Sequence, residues 1–258
     1  MSRDREKKRL EATRKHYETF SLCHTDFSKE ELGIVKALPD LSGKTVIDVG
    51  CGEGRFSKFL IEEKRARPFA IDLSRVSVSK AKAKGVNASV GNVLSLPFKD
   101  NFSDLTLCIG VLHHSPSASK GFKELVRVTK KGGKIIIAIY RKGTWYDFVY
   151  NACAPLRYFR KNKAVMSLSY VFFWCFMKIF KKITCRKDSS NKLIKAQFHD
   201  MLMTPVATFH SKKRGVRMGR KPQIKRVPAF REHIWPCFSV LLHKERRMIH
   251  FDNAKNSA

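Results

Sequence analysis

Two carboxylates and three glycines within a short span give this sequence its chemistry: Asp48, Gly50, Gly52, Gly54 and Asp72. Four of them lie in VIDVGCGEG, residues 46–54, where a strand-type hydrophobic run ends in an acidic residue and a glycine-rich turn follows. A turn of this kind after a strand usually receives a nucleotide. The dinucleotide fingerprint is met only in part. Gly50 and Gly52 fit it, but its last position holds Arg55, and the third glycine falls one residue early at Gly54. Asp48, two residues before the first glycine, would set negative charge close to a pyrophosphate. No Gly-Lys-Ser/Thr follows, which excludes a P-loop. The ligand expected here therefore lacks phosphates, carries an ammonium group and still contains a ribose.

The elements that must position these residues alternate. Strand patterns cover 44–49, 68–73, 87–92, 103–110 and 132–140, the last entered through a Gly-Gly turn. Helical spacing of apolar residues covers 56–63, 74–84 and 119–129, with Ser74 as a capping residue. Strands alternating with helices of this length predict a parallel sheet covered on both faces. Residues 3–20 read as a helix with Leu10, Tyr17 and Phe20 as inward contacts. Ser28 followed by Glu31 forms a capping box that predicts a helix over 29–38. The alternation stops at 143. Residues 144–159 are aromatic and helical up to Pro155, and 164–183 contain 14 uncharged residues before a basic end. In the tail, 211–221 is a poor helix broken by two glycines, and 223–227 and 238–244 read as short strands, for seven strands in all. The division expected is 1–43 as N-terminal helices, 44–142 as the nucleotide-binding core, 143–210 as a helical cap over the acceptor, and 211–258 as a basic segment completing the sheet.

The chain has 258 residues and a net charge of +30. Residues 1–140 carry 26 Lys and Arg against 16 Asp and Glu, giving +10; residues 141–258 carry 26 against 6, giving +20. The second half therefore suits an anionic partner, whether nucleic acid, a membrane surface or an acidic substrate. The hydrophobic fraction of 43% excludes global disorder. None of the seven cysteines forms a CxxC pair or a metal-ligand spacing, so free buried thiols in a reducing cytosol, and no metal, are expected. The first twenty residues have no apolar signal core. No run reaches the ~18–20 apolar residues that span a bilayer.

VIDVGCGEGRFS closely resembles the first motif of the class I S-adenosylmethionine-dependent methyltransferases. The resemblance continues in register through FAIDLS, GNVLSLPFKDNFSDLTLCIGVLHH and ELVRVTKKGGKIIIAIY, and covers residues 44–140. It is nearest the branch that methylates small molecules and lipids. It implies an α/β, Rossmann-like, doubly wound and mostly parallel sheet, and S-adenosyl-L-methionine as cofactor. By resemblance Asp48 would hold the methionine ammonium. Gly50, Gly52 and Gly54 would let the backbone approach the cofactor, with Cys51 among them as a small packing residue. Asp72 would accept both ribose hydroxyls, and Leu73 would pack on the adenine. Asn92 stands where the family usually has Asp, and its side-chain carbonyl can still accept from the adenine amino group. The backbone at Val93 would address the ring, and Ile109 and Gly110 would line the methyl-donor side.

A base is needed only for an OH, NH or acidic CH acceptor. His113 and His114 are the candidates after the fourth strand, with His199, Asp200 and His210 near the end of the cap. Tyr140, Tyr146 and His210 are candidate acceptor contacts. An apolar cap favours a small, lipid-like acceptor. The FFWCFM–KIFKKI stretch could lie on a membrane, its lysines facing anionic headgroups, so the setting expected is cytoplasmic or peripheral to a membrane. Two other readings stand beside this one. The first is a tRNA or rRNA methyltransferase using the basic half as a phosphate track. The second is a non-catalytic basic binding protein that kept the fold.

Overall fold

Strand β1 (Thr45–Val49) is buried along all but its first residue. A short run of Val and Ile without polar alternation requires this, since both faces of the strand must be covered. The computed structural model describes residues 2–20, 31, 34–35, 38–185, 191–210, 225–226 and 237–243. Strands β2 (Arg67–Asp72) and β4 (Ser103–Ile109) flank β1, both parallel to it. Strand β3 (Ala88–Val90) pairs outside β2, and β5 (Thr129–Tyr140) outside β4. The order is thus β3-β2-β1-β4-β5. The winding direction reverses between β1 and β4, and in open α/β sheets the crevice for a ligand opens at that point, beyond the carboxyl ends of the strands.

The two faces of the sheet build two core layers. Ile135, Ile137 and Ile139 join Phe122, Leu125 and Val128 of the helix Ala118–Val128, while Ile136 joins Phe56 and Leu60 of the helix Arg55–Glu62 on the opposite face. We number these helices α2 (Arg55–Glu62) and α4 (Ala118–Val128); α1 is Arg3–Thr19 and α3 is Arg75–Ala83. Helix starts follow local chemistry. Ser74 Oγ accepts from the Ser77 N–H and Ser117 Oγ from the Lys120 N–H. The Gly-Gly turn into β5 is required by contact: a Cβ on Gly133 would lie 2.9 Å from the Lys130 carbonyl oxygen and 3.0 Å from that of Asp104.

The sheet expected to have seven strands has five in its continuously described part, residues 45–140, all parallel. Beyond β5, the short β6 (Lys225–Arg226) and β7 (Cys237–His243) extend the edge in the order β5-β7-β6 and run antiparallel. The poor helix read at 211–221 lies outside the described residues. So does most of the capping-box helix, although Glu31, Ile34 and Val35 are helical.

Among the described residues four helices follow β5: α5 (Trp145–Ala152), α6 (Ala154–Tyr158), α7 (Lys163–Cys185) and α8 (Asn191–Met201). Pro155 sits in the first turn of α6, where its missing N–H costs nothing, so it starts a new helix instead of ending the previous one late. Phe198, Leu202 and Met203 form the centre of this unit, with Met166, Tyr170 and Phe173 of α7 packed on them. Helix α1 joins it to the core. Thr13, the only buried residue of α1, donates to the His114 carbonyl oxygen at 3.4 Å, and Tyr17 OH donates to Asp200 at 3.0 Å.

Candidate active site

The turn after β1 takes left-handed backbone at each glycine, with φ of 74° at Gly50, 54° at Gly52 and 81° at Gly54. The reasons for glycine differ. A Cβ on Gly50 would lie 2.0 Å from Val111 Cγ2, so this glycine lets the β1 turn pass against the segment leaving β4. A Cβ on Gly54 would meet Ala81 and Val86 at 3.0 Å, so this one lets the start of α2 close on α3. A Cβ on Gly52 would meet nothing within 4 Å. Of the three, only Gly52 faces open space. Cys51 is buried in the core between β2 and α3, and burial pushes its thiol pKa up.

Asp48 is buried, and one carboxylate oxygen accepts from Ser57 Oγ at 2.7 Å. Burial raises its pKa to about 6, against the hydrogen bond from Ser57, and nearby Asp72 adds to the rise. Asp72 ends β2. Its Oδ2 accepts the Gly52 N–H at 2.9 Å and its Oδ1 the Ser74 N–H at 2.8 Å. Burial raises its pKa as well, opposed by those backbone donors. Each oxygen of Asp72 keeps lone-pair capacity for a further donor. A buried acid and a half-buried one beside an open glycine make a site that a cation with a vicinal diol would complete.

The other predicted contacts fall along the same edge. Leu73 and Asn92 are half-buried beyond β2 and β3, as is Ile109 at the last position of β4, while Val93 is buried in the core and Gly110 is exposed. Asn92 has a second task. Its Oδ1 accepts the Leu94 N–H and its carbonyl the Ser95 N–H, both at 3.0 Å, so it builds the turn after β3.

The histidine pair occupies a 3-10 turn, Leu112–His114, directly after β4. His113 is 1% exposed, stacks on Tyr140 with ring centroids 3.6 Å apart, and its Nδ1 has no hydrogen-bond partner. Burial drives its pKa well below the ordinary histidine range, with His114 adding to the effect. His114 Nδ1 lies 2.8 Å from the Val206 carbonyl oxygen. A carbonyl can only accept, so Nδ1 carries the proton and Nε2 the lone pair of the neutral ring. That Nε2 is 3.8 Å from Asp200 Oδ1. Burial lowers the His114 pKa, while Asp200 and the Val206 carbonyl oppose the shift. Asp200 is also held by Tyr17 OH at 3.0 Å and Tyr140 OH at 3.4 Å.

Tyr140 and Tyr146 lie together in an aromatic cluster with Tyr150 and Phe209. Tyr146 is fully buried there, so its place is in packing rather than at an open surface. His210 lies at the end of β5, its N–H donating to the Tyr140 carbonyl oxygen at 2.9 Å and its Nε2 3.1 Å from Thr208 Oγ1. His199 faces the other way, stacked on Phe20 at 3.5 Å, with its pKa lowered by burial to about 4. Sequence reading missed Ser57, the Val206 carbonyl and the phenol of Tyr17. Ser57 alone carried a local signal, a polar residue on the inward face of α2 nine positions after Asp48.

Residues 47–137 match a family model described as a methyltransferase domain. Among relatives, the chain is 32% identical over 114 residues to a tRNA (carboxymethyluridine(34)-5-O)-methyltransferase of Arabidopsis thaliana, covering 41% of this chain and 26% of that one. It is 36% identical over 105 residues to the chloroplastic tocopherol O-methyltransferase of the same plant, covering 38% and 30%. To phosphoethanolamine N-methyltransferase 2 of Caenorhabditis elegans it is 30% identical over 143 residues, covering 52% and 33%. The chain spans a third or less of the length of these relatives. The fold as a whole superposes on a solved S-adenosylmethionine-dependent methyltransferase of Thermotoga maritima with TM-score 0.51 and 16% identity, over 94% of this chain and 96% of that one. Residues 47–137 thus form a methyltransferase domain of the class I S-adenosylmethionine-dependent kind.

Proposed function

We propose that this protein moves the methyl group of S-adenosylmethionine to a small, apolar or lipid-like acceptor. The observation that carries the donor half is the carboxylate pair, buried Asp48 and half-buried Asp72, around a glycine with open space before it. The residues fit the cofactor. Asp48 suits the ammonium, Asp72 suits the ribose diol, and the half-buried Leu73, Asn92 and Ile109 border the same edge. When bound, the cofactor supplies a sulfonium-activated methyl carbon. The protein then has to bring the acceptor atom into line with it and exclude water.

The acceptor half rests on the cover beyond β4 and β5. Tyr140, Tyr146, Tyr150 and Phe209 pack together into its aromatic core, and a cover of that composition suits an apolar acceptor better than a charged one. His114 is the base this reading assigns. Nδ1 is committed to the Val206 carbonyl, so Nε2 is free to take a proton, and the imidazolium formed would lie beside Asp200. Asp200→Asn keeps an acceptor for Tyr17 and Tyr140 but removes the charge. The expected result is kcat lowered by about 10–100-fold with cofactor affinity unchanged. Steady-state rates and cofactor titration check it, and an unchanged kcat would remove Asp200 from the mechanism.

Asp48 gives a pH prediction. Its carboxyl holds a proton more tightly in the folded chain than in the unfolded one, so between about pH 4 and 6 the folded state binds more protons and stability falls as pH rises. Asp48→Asn removes that cost and keeps the bond from Ser57. At about pH 7.5 the cofactor-free variant should be more stable than the parent by up to about 3 kcal/mol, and should bind the cationic cofactor at least about tenfold more weakly. Thermal melts with and without cofactor read both effects. An Asn variant that melts lower without cofactor contradicts the burial argument.

A second reading is RNA methylation. The +20 charge of residues 141–258 favours it, and several relatives are named as tRNA methyltransferases or probable ones. A cytoplasmic setting belongs to either proposal, supported by the free buried thiols of Cys51 and Cys108. The test for both is incubation with methyl-labelled cofactor and a cell extract, followed by counting organic-soluble material, RNA and protein. Label in the organic phase supports the apolar acceptor. Label confined to RNA replaces it with the second reading.

A further inference from the structure

Helix α7 is apolar on two opposite sides. Its inner side sets Met166, Tyr170 and Phe173 on the Phe198 cluster, with Met177 buried below them. Its outer side exposes Leu168, Val171, Phe172, Phe176 and Ile179, each between 51% and 69% accessible. At 100° per residue these five fall within an arc of about 140°, and along the axis they run for about 17 Å. A soluble helix puts charge on such a face. The residues just before α7 continue the pattern, with Tyr158 84% exposed and Phe159 49%.

The charge around this stripe has one sign. From Arg157 to Lys187 there are nine Lys and Arg and no Asp or Glu. Four of them, Arg157, Arg160, Lys161 and Lys163, precede the stripe, of which Arg157 is turned inward to the Tyr150 and Leu202 carbonyl oxygens; Lys178 lies within its length, and four more follow it. Among the described residues no helix is long and apolar enough to cross a membrane. An apolar face edged by cations, on a helix that does not span, has the composition of a helix lying in the interface of an anionic bilayer.

We propose that the outer face of α7 docks on an anionic lipid surface, with Leu168, Phe172 and Ile179 entering the headgroup–acyl boundary and the flanking lysines and arginines meeting the headgroups. Charge decides against the other occupants. A second copy would bring nine like charges against nine. Residues 211–258 of the same chain carry 13 Lys and Arg against 3 Asp and Glu, so they repel this face too. RNA would satisfy the cations but would leave the aliphatic side chains unburied. The docking surface is independent of the acceptor's identity, although it would bring a lipid-like acceptor to the cover above β5.

The test uses the full chain without cofactor or acceptor, floated with vesicles of phosphatidylcholine alone or mixed with phosphatidylserine, beside a Leu168→Glu/Phe172→Glu variant. Both side chains are exposed, so the variant should keep its melting temperature and cofactor affinity. The expected result is binding to the mixed vesicles, weak binding to the neutral ones, and a loss of at least about tenfold in the variant. Equal binding of parent and variant to the mixed vesicles overturns the proposal, because charge alone would then suffice. So does failure of the parent to bind, a parent dimer that the variant loses in sedimentation, or RNA binding that the variant loses. None of these outcomes touches cofactor binding, so the methyltransferase reading is judged separately.

Discussion

Asp72→Ala is expected to weaken S-adenosylmethionine binding by about 100-fold or more, the largest single-residue effect on the donor site. A carboxylate that accepts from both hydroxyls of a ribose makes two charge-assisted hydrogen bonds, worth about 1.5–3 kcal/mol each where water is excluded. Their loss alone spans at least two decades in affinity. The same carboxylate also holds the Gly52 and Ser74 N–H groups, so its removal loosens the glycine turn and the start of α3. A stability control is therefore needed. Asp104 is another carboxylate of the sheet, at the opposite end of β4, where it accepts from the Thr45 N–H at 2.9 Å and pairs with Lys130 at 2.8 Å. Asp104→Ala should lower the melting temperature and leave cofactor affinity within about twofold of the parent. Calorimetric titration of both variants separates the roles. If Asp72→Ala binds the cofactor as tightly as the parent, the donor site is misplaced. If the two variants lose affinity alike, the loss is one of folding.

Legibility in the sequence followed the range of the interactions. The strand-end positions of Asp48 and Asp72 could be read because strand and turn patterns are local, and a carboxylate at a strand end beside a glycine turn is visible within ten residues. The alternation of Ile135, Ile136 and Ile137 between two core layers is likewise a property of the strand repeat. The Tyr17–Asp200 bond joins residues 183 apart and has no local trace. Nor does the Val206 carbonyl that fixes the tautomer of His114 from 92 residues away. The glycines mark the boundary between the two cases. Their pattern was readable, but the clash that makes Gly50 obligatory comes from Val111, on another strand's exit. Helix α7 shows the same limit. Its apolar composition was plain, while the division into a packed side and an exposed side depended on where α8 came to lie.

Gly50→Ala carries the largest expected effect on stability. The methyl group would occupy a position 2.0 Å from Val111 Cγ2, on a backbone at φ 74°. The left-handed conformation costs about 1–2 kcal/mol for a residue with a Cβ, and overpacking a closed core adds about 1–3. A loss of about 3 kcal/mol or more follows, or roughly 10 °C in melting temperature for a chain of this size. Gly52→Ala is the internal comparison. Its backbone also lies at positive φ, but its Cβ meets nothing, so it should lose only about 1 kcal/mol of stability. On cofactor binding the order should reverse: in the proposed site the open space before Gly52 holds the ligand, so its alanine should cost affinity out of proportion to its small cost in stability. Val111→Ala tests the cause directly. With both γ-methyls gone, the nearest remaining atom to the new group is Val111 Cβ at 3.3 Å, a contact that a shift of a few tenths of an ångström relieves. Combined with Gly50→Ala, it should recover at least about 1 kcal/mol relative to the sum of the two single variants. Additive losses would mean that the strain lies in the backbone alone, and that the approach of the β1 turn to the exit of β4 does not depend on the missing side chain.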